Sequence, residues 1–228
     1  MGLFSFLDRM PVAQDCRLCG MASMRTLCAG CDADIPRLTM IRCAICALPT
    51  PSGALCGRCL ADVPAFDTTC AALEYAFPAT RLIQAFKYAG AVGLSGTLAD
   101  FLAAAVRATP ERAPDLLLPM PLARERLAER GFNQALEIAR LLGRRMDIAV
   151  QARAAVRVRH GPPQADLPLP ERRRNVRGAY AARRRFDGLD VAVVDDVMTT
   201  GASLDALAAV LKQAGAARVR NWVVARTL

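Results

Sequence analysis

The chain is poor in aromatic side chains, which make up 5% of its 228 residues and include a single tryptophan, Trp222. No row of stacking rings for unpaired bases is therefore visible. There is also no run of about 18 uncharged apolar residues, the length a helix needs to cross a bilayer, so membrane insertion is not expected. The first fifteen residues, MGLFSFLDRMPVAQD, begin apolar but carry neither a basic leader nor a small-residue cleavage site. Phe6 stands where myristoylation needs Ser or Thr. These absences argue for a cytoplasmic protein. The GxGxxG and GxxxxGK[ST] patterns are missing too, which leaves dinucleotide and Walker-type readings without local support.

What is present is apolar mass and basic charge. A hydrophobic content of 54% excludes a disordered chain, and 228 residues fit one α/β domain with a small appendage. Thirty basic against 21 acidic side chains give a net charge of +9, which suits phosphorylated small molecules and nucleic acid alike.

Eight of the nine cysteines form four CxxC pairs: Cys16/Cys19, Cys28/Cys31, Cys43/Cys46 and Cys56/Cys59. Each pair can make a knuckle with two thiolates aimed at one ion, and two knuckles complete a tetrahedral four-cysteine site. The nearly repeated spacing predicts two tandem zinc ribbons holding two structural Zn2+ ions. Consecutive pairing is the simplest arrangement, and a crossed one stays open. A disulfide framework would call for a secretory signal, and a redox CxxC normally stands alone at the start of a helix. Cys70 lies outside the pattern and reads as a small core residue.

Composition changes after Cys59. The boundary is expected near residue 65, giving a zinc-ribbon domain over 1–65 and a second domain over 66–228. A first strand follows the linker in VPAFDTTCAALEYAF. Helical periodicity covers 82–88, 94–106, 133–142 and 203–214, and strands are expected at 116–119, 149–158, 190–195 and 218–225. Strands separated by helices predict a mainly parallel sheet flanked by helices, with ligands beyond the carboxyl ends of the strands.

The apolar run Val191–Val194 delivers Asp195 and Asp196 to that edge. Met198, Thr199, Thr200, Gly201, Ala202 and Ser203 follow, combining hydroxyls, small residues and a glycine just before a helix. Unsatisfied N–H groups at a helix start, added hydroxyl donors and a close main chain suit a phosphate. Carboxylates repel phosphate but accept hydrogen bonds from sugar hydroxyls. The pattern fits a ribose 5-phosphate, with Asp195 and Asp196 at the hydroxyls and 199–203 at the phosphate.

VAVVDDVMTTGAS resembles the phosphoribosyl pyrophosphate motif of type I phosphoribosyltransferases, and nearly the whole chain resembles the ComF family, which includes GntX-like proteins. The likeness extends to FKYAG at 86–90, PMPLARERLAERGFNQA at 119–135, and QADL and RRRNV within 157–175. It implies a phosphoribosyltransferase type I fold behind the zinc ribbons and a ligand, phosphoribosyl pyrophosphate, bound with Mg2+. It further implies Arg124, Arg130 and Asn133 at the pyrophosphate edge, and Gln164, Arg172 and Asn175 on a loop that closes over the site. His160, the only histidine, is expected to be exposed. Asp195 and Asp196 would stabilise charge developing at the anomeric carbon during transfer to an acceptor that the sequence does not identify. The competence proteins in the family allow an alternative, a non-catalytic accessory that handles single-stranded DNA beside other competence proteins.

Overall fold

The computed structural model describes residues 14–38, 41–88, 90–158 and 178–228. Its cysteine-rich front carries a minimal antiparallel pair, β1 (Gln14–Asp15) and β2 (Ala22–Ser23), and two one-turn helices, α1 (Ala29–Ala33) and α2 (Gly57–Ala61). Then come β3 (Thr68–Glu74), α3 (Ala79–Tyr88), α4 (Leu94–Arg107), β4 (Leu116–Pro119), α5 (Arg124–Arg130) and α6 (Gln134–Met146). The chain closes with β5 (Ala155–Arg157), β6 (Tyr180–Ala182), β7 (Asp190–Met198), α7 (Ala202–Gln213) and β8 (Arg218–Arg226).

Four of these strands form a parallel sheet in the order β3-β8-β7-β4. The central strands β7 and β8 carry apolar stretches, 191–194 and 222–225, because both of their faces are covered there. Side chains alternate between the two layers. Val191 and Val193 face the core that holds Leu204, Leu207 and Leu211 of α7, whereas Ala192 and Val194 face Leu82, Leu98 and Ile138 of α3, α4 and α6. This is the parallel sheet flanked by helices that the sequence implied. No helix among the described residues is long and apolar enough to cross a membrane.

One expected strand is divided. Residues 149–158 do not run as a single strand: Val150 makes an isolated parallel bridge to Leu117 at the sheet edge, and a turn over 151–154 then leads the chain away. Residues 155–157 pair instead with β6 in a separate antiparallel ribbon. The single strand expected over 149–158 is interrupted by that turn.

The cysteine-rich segment covers the β3 edge of the sheet. Arg37 bridges Leu73 antiparallel, Leu38 N–H donates to the Ala72 carbonyl at 2.9 Å, and Glu74 N–H donates to Pro36 at 2.8 Å. Thr69 N–H reaches the Ala44 carbonyl at 3.3 Å. An edge that would otherwise offer unpaired backbone is thereby closed. Cys16, Leu27 and Ile35 join the α3/α4 layer, while Cys43, Cys46, Cys59 and Phe66 join the α7 layer.

Candidate functional site

Strand β7 does not stop at its acidic pair. Its pairing with β4 ends at Pro119 opposite Val194, but its pairing with β8 continues to Met198 opposite Arg226. Asp195 and Asp196 therefore stand at a step in the sheet edge, where β4 has ended and β8 still supports the strand. Such a step opens a crevice at the carboxyl ends of the strands. A cleft of about 540 Å3 lies there, lined by both aspartates with Lys87, Tyr88, Arg130, Tyr180, Thr199 and Ser203 among others.

The two carboxylates are held differently. Asp196 is 7% exposed and forms an ion pair with Lys87 at 3.0 Å. Asp195 accepts the Asp196 N–H on Oδ1 at 2.9 Å. Burial, together with the neighbouring Asp196 charge, raises its carboxyl to about 7 against the opposing pull of Lys87. One acid is thus charge-paired, and the other is poised to change protonation near neutrality.

Residues 199–203 turn from β7 into α7. Gly201 is the N-cap with φ of +82°, a left-handed conformation that disfavours any side chain. Ala202 N–H bonds Thr200 Oγ1 at 3.3 Å, and a hollow of about 80 Å3 runs along 195–204. Met198 is buried in the α7 core, so it can offer a ligand only main-chain atoms. Ser203 bonds the phenol of Tyr180, whose ionisation is pushed up by burial.

On the opposite wall the expected basic residues separate. Arg130 reaches the cleft, stacks over Tyr88 at 5.2 Å and donates to Gln134 Oε1 at 3.3 Å. Arg126, four residues earlier on α5, shares its face and lines the same cleft. Arg124 is placed two residues off that face and lines a neighbouring cleft of about 810 Å3. Asn133 caps α6, accepting Leu136 N–H at 3.3 Å and donating to the Met120 carbonyl at 3.1 Å. It lines both clefts while tying the end of β4 to α6. Gln164, Arg172, Asn175 and His160 lie outside the described residues.

Lys87, Tyr180, Arg126 and Gln134 also line the cleft and are not singled out by the sequence. Lys87 sits inside FKYAG, and Gln134 directly follows Asn133, so position within a motif was the available signal. Tyr180 carried none, because the fold brings it beside Ser203.

The eight paired cysteines converge in two groups, Cys16/Cys19/Cys28/Cys31 and Cys43/Cys46/Cys56/Cys59, each with all sulfur atoms within 4.8 Å of one another. The pairing is consecutive. Sulfur separations of 3.7 Å (Cys19 to Cys28) and 3.4 Å (Cys46 to Cys56) approach the roughly 3.8 Å edge of a tetrahedron with metal–sulfur bonds near 2.3 Å. Burial opposes ionisation of Cys16 and Cys43, but backbone N–H donors outweigh it and bring the thiols to about 6 and about 7. Both groups could hold a metal ion and are consistent with zinc. Cys70 belongs to neither, packs against the core, and is pushed up to about 11 chiefly by burial.

Comparison with known proteins gives relatives along almost the whole chain. Competence protein F of Haemophilus influenzae is 32% identical over 208 residues, covering 88% of this chain and 90% of its own. DNA utilization protein YhgH of Salmonella typhimurium is 32% identical over 221 residues, covering 93% and 97%. Competence protein ComFC of Bacillus subtilis is 25% identical, covering 88% and 84%. No family model matches. Among solved structures, glutamine phosphoribosylpyrophosphate amidotransferase from B. subtilis has a TM-score of 0.39 at 19% identity, covering 57% of this chain and 26% of its own. Purine phosphoribosyltransferase from Pyrococcus horikoshii has 0.30 at 17%, covering 70% and 88%. The fold itself stands on strand order and register.

Proposed function

The chain belongs to the ComF family of competence and DNA-utilization proteins, and on that premise we propose that its cleft binds phosphoribosyl pyrophosphate with Mg2+. The observation that carries the reading is the juxtaposition of an acidic pair, one member buried and the other partly exposed, with a glycine-capped, hydroxyl-rich helix start across one step of the sheet edge. The helix start and the hydroxyls of Thr199, Thr200 and Ser203 suit the 5-phosphate. Asp195 and Asp196 suit the ribose hydroxyls. Arg126 and Arg130 face them as partners for pyrophosphate.

Mg2+ prefers oxygen ligands, and Asp195 and Asp196 are the only carboxylates lining the cleft among the described residues. When bound, the ion would supply charge neutralisation to the pyrophosphate. The protein's own residues then orient the sugar, and the carboxylate of Asp195 favours positive charge at the anomeric carbon as pyrophosphate departs. Transfer of the phosphoribosyl group to an acceptor is the chemistry this arrangement would support. The two cysteine groups carry structural Zn2+, four thiolates per ion leaving no open coordination position. Ligand thiols of that kind suit a reducing cytoplasm. We take residues 1–65 and 66–228 as the two units of the chain.

Calorimetric titration of the protein with phosphoribosyl pyrophosphate and Mg2+ tests the proposal: saturable binding is expected. The double variant Asp195→Asn/Asp196→Asn should lose it while keeping about two zinc ions per chain, one for each group. Unchanged affinity in that variant would sink the site assignment.

A second reading, a DNA-handling accessory, draws on the neighbouring cleft. Exposed Arg124, Arg153 and Arg183 line it, next to Arg157. It shares Pro121, Leu122, Asn133 and Arg157 with the first cleft, so one anionic chain could span both. Salt-sensitive binding of single-stranded DNA is its test.

A further inference from the structure

The largest fully buried side chain in the described protein is an arginine, Arg226, at the end of β8 and 1% exposed. Its guanidinium donates from Nε to the Cys46 carbonyl at 3.0 Å, and from Nη1 to the carbonyls of Met198 at 3.0 Å, Thr227 at 2.6 Å, and Thr199. Every acceptor is neutral. Among the described residues no carboxylate pairs with Arg226, although a buried charge is costly unless an opposite charge compensates it. Arg58 of α2 adds a second positive charge nearby, and the groups that favour the charged guanidinium are the thiols of Cys46 and Cys56. A divalent ion held by four thiolates keeps an excess of negative charge. The second cysteine group, once metal-loaded, is therefore the counter-charge that Arg226 otherwise lacks.

The other end of the contact lies in the phosphate loop. In a trans peptide the C=O and N–H point opposite ways. Fixing the carbonyls of Met198 and Thr199 on Arg226 turns the N–H groups of Thr199 and Thr200 away from it. Both residues line the hollow along 195–204. Packing runs in parallel with this polar link. Met198 shares a core with Cys43, Cys46, Cys59 and Phe66, and Ala65 N–H bonds Asp205 of α7 at 2.7 Å. Arg58 and Cys59 also stand with Thr200 and Gly201 around one small hollow.

We infer that Arg226 is a positioning residue through which the second four-cysteine group, and not the first, sets the conformation of the phosphate loop. The first group, Cys16/Cys19/Cys28/Cys31, packs in the opposite layer of the sheet, and among the described residues no hydrogen bond of Arg226 reaches it. The ribbons are then unequal: one covers the fold, and the other also holds the ligand site in shape. The functional consequence rests on the phosphate-loop reading, but the coupling itself does not.

The test uses the full chain without any phosphoribosyl ligand. It measures zinc release to a chelator and amide hydrogen exchange over 198–203. Loss of the second metal through Cys56→Ser is expected to speed loop exchange about tenfold or more, the scale of losing hydrogen bonds to a charged group. Cys19→Ser, which weakens the first site, should leave loop exchange as in the wild type. Arg226→Gln should speed loop exchange and release the second zinc faster while the first stays bound, and Arg226→Lys, which keeps the charge, should restore zinc retention. Loop exchange that ignores the second metal, or that responds equally to both metals, would overturn the inference. If Arg226→Gln does not fold, the comparison of the two cysteine variants decides alone. A failure of ligand binding is a separate result, because neither readout requires a ligand.

Discussion

Lys87 Nζ lies 3.0 Å from Asp196 Oδ1, an ion pair that joins α3 to the end of β7, with side chains 17% and 10% exposed. It gives one acid of the pair a direct counter-ion. At the adjacent Asp195 burial does most to raise the carboxyl, and the neighbouring Asp196 carboxylate adds its repulsion. The pair is therefore asymmetric before any ligand arrives.

Removing the lysine should expose that asymmetry. Lys87→Met leaves Asp196 buried and unpaired, and a loss on the order of 1–3 kcal/mol in urea unfolding is expected, since a stranded charge costs more than a pair contributes. Adding Asp196→Asn should recover part of the loss. A double-mutant cycle in which the two effects simply add would show that the ion pair has no energetic content.

The raised carboxyl of Asp195 sets a pH dependence. Its folded value of about 7 exceeds its ordinary 3.8, so the folded state holds the proton more tightly. Ionisation consequently opposes folding: the penalty is absent below about pH 4, grows through the window from 4 to 7, and is complete above it. Asp195→Asn should be more stable than the wild type at pH 8, by on the order of 1 kcal/mol, with the difference closing as pH falls. Parallel stability profiles for the two proteins would contradict the assignment.

How much of this was legible in the sequence depends on chain distance. The acidic pair, the glycine and the hydroxyls of 195–203 are contiguous, so their chemistry could be read from order alone. The four CxxC pairs gave the two metal groups for the same reason, and only their consecutive pairing needed coordinates. Arg124 was expected at the site and Arg126 stands there instead, because the choice depends on the direction in which α5 faces. Lys87 lies far from β7 in sequence and meets it only through packing of α3, whereas Tyr180 is near in sequence but on β6, which pairs outside the main sheet and reaches the cleft only through the fold. Arg226 looked like one more basic residue in an Arg-rich chain until its burial was known.

Gly201 offers a local test of the loop. A Cβ there would adopt φ of +82° and approach Met198 Cε to 2.6 Å, and Met198 is itself 1% exposed and packed among the second cysteine group. Gly201→Ala should cost on the order of 1–2 kcal/mol from the left-handed backbone alone. Affinity for phosphoribosyl pyrophosphate should drop further than global stability does, since the strain falls on the helix start that faces the phosphate. Wild-type affinity in a measurably destabilised Gly201→Ala protein would move the phosphate away from this loop.

The two clefts can be told apart by charge reversal. Arg153 and Arg183 are exposed and line only the cleft of about 810 Å3 beyond Asn133, whereas Arg126 lines the one that holds the aspartates. If single-stranded DNA lies along the outer cleft, Arg153→Glu/Arg183→Glu should weaken it and flatten the dependence of log K on log salt by about 0.7 per lost phosphate contact. Calorimetric affinity for phosphoribosyl pyrophosphate should be retained in the same protein, because neither arginine reaches Thr199 or Asp195. Arg126→Ala should do the reverse. Equal losses of both ligands in both variants would mean that one continuous anion site, rather than two adjoining ones, occupies this face of the sheet.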